Sequence, residues 1–302
     1  MKTKAAVLGV PMDMGASKSG SAQAPEAIRR AKLLDVLGAA GIPAEDCGDI
    51  EIPDAPPTPA PAKSKNAHAV LKVCRELEKR VRRLIKSGRT PVVLGGDHSL
   101  AMGSIAGAAR ALRDEGKALG VIWVDAHADM NTPRTTPSGN LHGMPAAHLL
   151  GLGDRSFARV GGFSPKIAAE NFCFVGLRDV DSEEAATLRK SQARVFAMPA
   201  IDRYGMGAVM ERALAAATQG TAGFYLSFDV DAVDPQNAPG TGTKKRGGLT
   251  YREAHLLMEM AAESGKLVGL DLVEVNPLED EHNSTAVLAT EIIASALGKR
   301  IY

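Results

Sequence analysis

The 302-residue chain has little aromatic material: one tryptophan, four tyrosines and seven phenylalanines, against 31 glycines. That balance is unlike a β-sandwich and fits an Ala/Gly/Val-rich α/β protein. Cysteine is scarce as well. Cys47, Cys74 and Cys173 are odd in number and fall at unrelated spacings, which excludes a disulfide framework and a cysteine-based zinc motif. The net charge is only +1, so electrostatics give no case for nucleic acid or an anionic membrane as partner. No apolar stretch approaches the roughly 20 residues of a membrane span. The start, Met1 to Pro11, faintly mimics a signal peptide, but Pro11 and Asp13 interrupt it before a cleavage site. It reads as a first strand. These absences together describe a reduced, cytoplasmic protein.

Short β-rich runs alternate with helical patterns, which argues for a parallel sheet covered by helices on both faces. Strands are predicted at Lys4–Val10, Thr90–Leu94, Leu119–Val124, Phe172–Gly176, Arg194–Ala197, Gly223–Phe228 and Leu267–Val275. Helices are predicted near Pro25–Ala39, His68–Lys86, Leu100–Arg113, Ser182–Lys190, Met206–Ala217, Tyr251–Glu263 and Thr285–Leu297. The segment Pro53–Ala62 holds five prolines and can be neither a helix interior nor a central strand. The βα alternation resumes after it unchanged, so it reads as a surface loop inside one domain spanning 1–302.

Acids and histidines gather where these strands end. Asp125, His127 and Asp129 occupy every second position after Val121–Val124, and Asp229 and Asp231 repeat the spacing after Phe224–Phe228. His98 follows Gly95-Gly96-Asp97. If the backbone stays extended, period-two spacing places such residues on one side. A single Asp-x-Asp is usually a pair of solvated acids; several strands delivering such groups to one edge is another matter, because ligands of open α/β sheets bind there. Four carboxylates cannot be buried together unpaired, and two divalent cations would balance them. Oxygen-rich ligation with two imidazoles and no thiolate suits Mn²⁺ better than structural Zn²⁺. Paired metals can hold a bridging water as hydroxide, so metal-activated hydrolysis is expected.

At this point the residues match a family. Gly95-Gly-Asp-His98, Asp125-Ala-His-Ala-Asp129, Ser138-Gly-Asn-Leu-His142-Gly, Ser227-Phe-Asp-Val-Asp231 and Glu274-Val-Asn-Pro277 together resemble the ureohydrolases, and within them the arginases. The resemblance implies a three-layer α/β sandwich with a central, mostly parallel eight-stranded sheet. It implies two Mn²⁺ per subunit, a homotrimer or homohexamer, and hydrolysis of L-arginine to L-ornithine and urea. Carried over by position, one metal falls to His98, Asp125, Asp129 and Asp229, the other to His127, Asp125, Asp229 and Asp231. His142 becomes the proton shuttle and Glu274 the carboxylate beside the guanidinium. Asn131, Ser138 and Asn140 would read the substrate α-carboxylate and Asp181 its α-amino group, with Glu184 and Thr243 also in the substrate set.

The physics of these roles is independent of the family. A guanidinium is a cation and a poor electrophile, so a carboxylate must hold it; the leaving amine needs a proton, which a histidine can relay. Alternatives are an amidinohydrolase for agmatine or guanidinobutyrate, a metal-dependent deacetylase on a related fold, and a catalytically silent binding protein. One departure is pronounced: Lys244-Lys245-Arg246 stands where the family carries a proline and apolar residues. Those three charges are expected to face solvent or a neighbouring subunit; the sharper reading is an altered substrate or pH preference.

Overall fold

Apolar runs too short for helices, separated by amphipathic segments, build alternating strands and helices. The computed structural model describes residues 4–54 and 63–300. In chain order these hold β1 (Ala5–Val10), α1 (Ala24–Arg30), α2 (Leu33–Ala39), β2 (Ala44–Asp49), α3 (Ala67–Lys86), β3 (Thr90–Gly95), α4 (Ala101–Arg113), β4 (Gly120–Val124), α5 (Pro145–Leu149) and α6 (Arg155–Ala158). There follow β5 (Phe172–Val175), α7 (Ser182–Ser191), β6 (Arg194–Phe196), α8 (Met198–Thr218), β7 (Phe224–Asp229), α9 (Tyr251–Glu263), β8 (Leu267–Val273) and α10 (Ser284–Ala296).

The strands form one eight-stranded sheet in the order β2-β1-β3-β8-β7-β4-β5-β6, and every pairing is parallel. Period-two alternation divides the core between its two faces. On β4, Ile122 and Val124 join the layer under α1, α2, α8, α9 and α10, while Val121 and Trp123 join the layer under α3 and α4. The central strands β3, β8, β7 and β4 are adjacent, so their C-terminal ends form one continuous edge. Each of the four carries a candidate site residue at or just past that end.

The sheet agrees with the expected one; the short helices α5 and α6 were not anticipated, and three further elements differ. The edge strand β2 reads Ala-Glu-Asp-Cys-Gly-Asp, half exposed throughout, and has no apolar run to announce it. The single helix expected over Pro25–Ala39 is two, because Lys32 adopts φ 64° between them. The helix expected from Met206 begins at Met198, with an interruption at Gly205, whose φ is 78°. Of the proline-rich segment, residues 55–62 lie outside the described residues.

Candidate metal centre and active site

The ligand-type residues converge, though not on an extended backbone. β4 stops at Val124 and the chain bends at Ala126 and His127, while β7 runs into a short 3-10 turn at Val230–Ala232. The same local device operates in both places. Asp125 Oδ1 accepts the backbone N–H of His127 at 2.6 Å, and Asp229 Oδ1 accepts that of Asp231 at 2.8 Å. An aspartate that bonds its own chain two residues on folds it into a tight turn. It also leaves Oδ2 of each carboxylate pointing elsewhere. The expectation of period-two strand geometry is thereby corrected: the spacing is right, and its cause is an aspartate turn.

Those Oδ2 atoms meet on His98. Its Nδ1 lies 3.2 Å from Asp125 Oδ2, 3.2 Å from Asp129 Oδ2 and 3.3 Å from Asp229 Oδ2. None of the three is in hydrogen-bonding geometry, so this buried nitrogen has no partner. His127 Nδ1 lies 3.0 Å from Asp231 Oδ2 and 3.4 Å from Asp125 Oδ1. Two adjacent triads result, His98–Asp125–Asp229 and Asp125–His127–Asp231, each able to hold a metal ion and sharing Asp125. Asp229 falls in the first triad only.

Electrostatics say the same. Burial pulls the His98 imidazole down, but its three carboxylates override that and hold it well above its ordinary value; His127 is raised likewise, against burial, chiefly by Asp231. Burial and then Asp231 raise Asp229 well above the carboxylate range, and burial with Asp125 lifts Asp129 to about 6. A cluster that draws protons onto both histidines and onto its own acids has more negative potential than it can neutralise. An orphaned inward-facing imidazole nitrogen in such a cluster fits a pair of divalent cations.

His98 is held by residues the sequence did not single out. It stacks on Trp123 with ring centroids 4.1 Å apart and planes 9° from parallel, and Trp123 Nε1 donates to Asp125 Oδ2 at 3.1 Å. Its Nε2 lies 2.8 Å from Ser227 Oγ. Ser227 in turn donates to Asp271 Oδ1 at 2.5 Å, and Ser104 donates to Asp271 Oδ2 at 2.6 Å. Such a relay fixes which imidazole nitrogen is bare. In the turn before His98, a Cβ on Gly96 would stand 1.8 Å from Met12 O, so only glycine lets β3 pass so close to the chain leaving β1.

Around the cluster lie the other expected residues. His142 Nδ1 is 2.9 Å from Glu274 Oε1, which also accepts the His98 backbone N–H at 2.8 Å. Burial pulls His142 down, but Glu274 lifts it to about 9. Asp129 and Glu274 have φ of 49° and 62°, a left-handed conformation costly for residues with a Cβ and found most often where function needs it. Asn131 Nδ2 donates to Asp181 Oδ2 at 2.9 Å. Asp181 caps α7 by accepting from Glu183 and Glu184 N–H, both at 2.9 Å, while Glu184 accepts from Met130 N–H at 3.0 Å. Burial and then Asp129 raise Glu184 to about 8. Ser138 Oγ accepts the Asn140 N–H at 3.2 Å, and the Thr243 hydroxyl donates to Asp231 Oδ2 at 2.8 Å, which sets Thr243 against the acid cluster itself.

Lys244 and Lys245 border the cleft that His127, Asp179, Thr243 and Lys18 also line. Lys245 pairs with Asp179 at 2.5 Å, Lys244 with Glu279 at 3.4 Å, and Lys18 with Glu279 at 2.9 Å. Lys244 and Arg246 are exposed and Lys245 half-buried, so the run faces solvent as expected, and both lysines are in addition compensated on their own chain. Arg178 fastens the run by donating to the carbonyls of Lys245 and Arg246 at 2.8 and 3.2 Å.

Comparison with known proteins places this arrangement. Residues 3–298 match the arginase family model. The arginase of Bacillus caldovelox is 42% identical over 98% of both chains, and that of Brevibacillus brevis 40% identical over 100% of both. The solved native structure of the Bacillus caldovelox arginase superposes with a TM-score of 0.94 at 41% identity, covering 100% of each chain.

Proposed function

The chain belongs to the arginase family, and from that premise we propose that it hydrolyses L-arginine to L-ornithine and urea with two Mn²⁺ per subunit. The observation that carries this reading is the buried meeting of two imidazole nitrogens with four carboxylates at the ends of β3, β4 and β7. His98, Asp125, Asp129 and Asp229 would hold one ion, and His127, Asp125, Asp229 and Asp231 the other. When bound, such a pair supplies Lewis-acid polarisation and a water acidic enough to attack near neutral pH.

The remaining steps fall to the chain. Glu274 holds the guanidinium by charge-assisted bonds beside the cluster. His142, gripped through Nδ1, keeps Nε2 free to deliver a proton to the leaving amine. Thr243 steadies Asp231 at the cleft wall. Asn131, Ser138 and Asn140 receive the α-carboxylate. Asp181 and Glu184, linked to Asn131 through Asp181, receive the α-amino group. The unit acts as a single domain over residues 1–302, in the cytoplasm, as a homotrimer or homohexamer. Among the described residues no helix is long and apolar enough to cross a membrane.

The competing reading is an agmatine or guanidinobutyrate hydrolase. Agmatine lacks the carboxylate, which would leave polar groups built for it unpaired, and sites of that kind reject the deficient analogue by about 10⁴-fold or more. Urea release from L-arginine, agmatine and guanidinobutyrate by the Mn²⁺-loaded protein decides the matter. kcat/KM for L-arginine is expected to exceed that for agmatine by at least about a hundredfold. Comparable values would leave only the broader amidinohydrolase assignment.

A further inference from the structure

Lys65 precedes α3 and has no part in the site as drawn so far, yet its ammonium reaches the carboxylate end of it. Nζ lies 3.0 Å from Asn140 Oδ1 and 3.2 Å from Ser17 Oγ, and Ser17 Oγ itself donates to Asn140 Oδ1 at 2.8 Å. The Lys65 backbone N–H donates to Gly139 O at 2.9 Å, and Lys63 Nζ reaches Thr136 O at 3.3 Å. The segment 63–65 is therefore fastened along the loop that carries Ser138 and Asn140.

Two consequences follow from this geometry. The first concerns orientation. An asparagine amide can face either way, and its hydrogen-bond partners decide. Two donors converge on Asn140 Oδ1, and the reversed amide would set its own N–H groups against them. Its Nδ2 is thus turned away from Lys65 and Ser17, and it has no hydrogen-bond partner among the described residues. The second concerns charge. Lys18, Lys244 and Lys245, which line the cleft beside His127 and Thr243, are each paired with a carboxylate. No carboxylate of the described residues lies in ion-pair contact with Lys65, so its positive charge is left uncompensated beside the α-carboxylate position.

We propose that Lys65 is a specificity-determining residue: it fixes the Asn140 amide with Nδ2 outward and adds a positive potential that selects guanidino substrates bearing a carboxylate. The assignment rests on the reading of L-arginine as substrate. A purely structural tie between two loops would make no distinction between substrates.

The test uses the full-length Mn²⁺-loaded protein and compares wild type with Lys65→Met, Lys65→Gln and Lys65→Arg on L-arginine and on agmatine, at low and high salt. Lys65→Met is expected to raise KM for L-arginine about tenfold, the scale of one charge-assisted hydrogen bond, with kcat within about twofold. Its kcat/KM for agmatine should hold or rise. Lys65→Gln, a donor without charge, should fall between, and Lys65→Arg should recover most of the loss. The salt dependence of KM for L-arginine should shrink in the uncharged variants. An equal fall on both substrates would make Lys65 a structural tie, and no change on either would remove it from the site. A wild type that does not prefer L-arginine to agmatine would overturn the substrate reading and this inference together.

Discussion

Trp123 is the one tryptophan of the chain, and it lies under the acid cluster, stacked on His98 and bonded to Asp125. It illustrates what a sequence displays and what it hides. The six ligand-type residues were legible because five of them stand at period two after apolar strands, His98 ends a third strand, and several strands delivering such groups to one edge is not an ordinary surface pattern. The supporting roles of Trp123, Ser227, Asp271 and Lys65 were not, since each meets a partner elsewhere in the chain; His98 and Ser227 are 129 residues apart, and Ser104 and Asp271 167. Asp271 offers a direct check. Asp271→Asn would set an amide N–H against one of two serine donors, release Ser227 and free the His98 ring. Mn²⁺ affinity, measured by equilibrium dialysis, is expected to fall about 10- to 100-fold. Unchanged affinity with a lowered Tm would reduce Asp271 to a packing role.

His142 yields two results at the same scale. His142→Asn removes proton delivery and should lower kcat about 10²–10⁴-fold with metal content intact; a matching loss of bound metal would make it a ligand. In the metal-free protein Glu274 holds the imidazole charged to about pH 9, against an ordinary 6.5. A raised pKa means that the folded state binds the proton more tightly. The pair's contribution to stability is therefore complete below pH 6.5 and is lost as pH rises through about 9. NMR titration of the metal-free protein should show a His142 midpoint that drops in Glu274→Gln. A midpoint that stays high would assign the shift to another group.

Among the elements, α7 joins fold and site most closely. Its capping box is made by Asp181 and Glu184, the same pair proposed to receive the substrate amine. The two duties separate by mutation. Asp181→Asn keeps a capping oxygen and drops the charge, so Tm should barely move while KM for L-arginine rises. Asp181→Ala loses the cap too and should cost a further ~0.5–2 kcal/mol of stability. Equal KM values for wild type and Asp181→Asn would remove Asp181 from substrate recognition. The elements that sequence reasoning missed have two physical causes. β2 is a polar strand that depends on pairing with β1, and the breaks at Lys32 and Gly205 lie in backbone dihedrals. The helix pattern carries through the break at Lys32, which therefore does not announce itself, whereas the interruption at Gly205 cut the recognisable helix short and hid the turns from Met198 onward.

At the level of the whole molecule, the order of the strands creates the site. Crossovers bring β3, β8, β7 and β4 side by side although more than a hundred residues separate β4 from β8 along the chain. Their ends then deliver acids and histidines that no single segment could assemble. The resulting negative potential is the physical demand that two cations answer, so stability, metal loading and activity should rise together. The most direct test titrates metal-free protein with Mn²⁺ and follows bound ion and urea release from L-arginine in the same samples. Activity is expected to grow until two ions are bound per chain and to stop there, with Tm rising alongside by mass action. Full activity at one bound ion per chain would contradict the two-metal site.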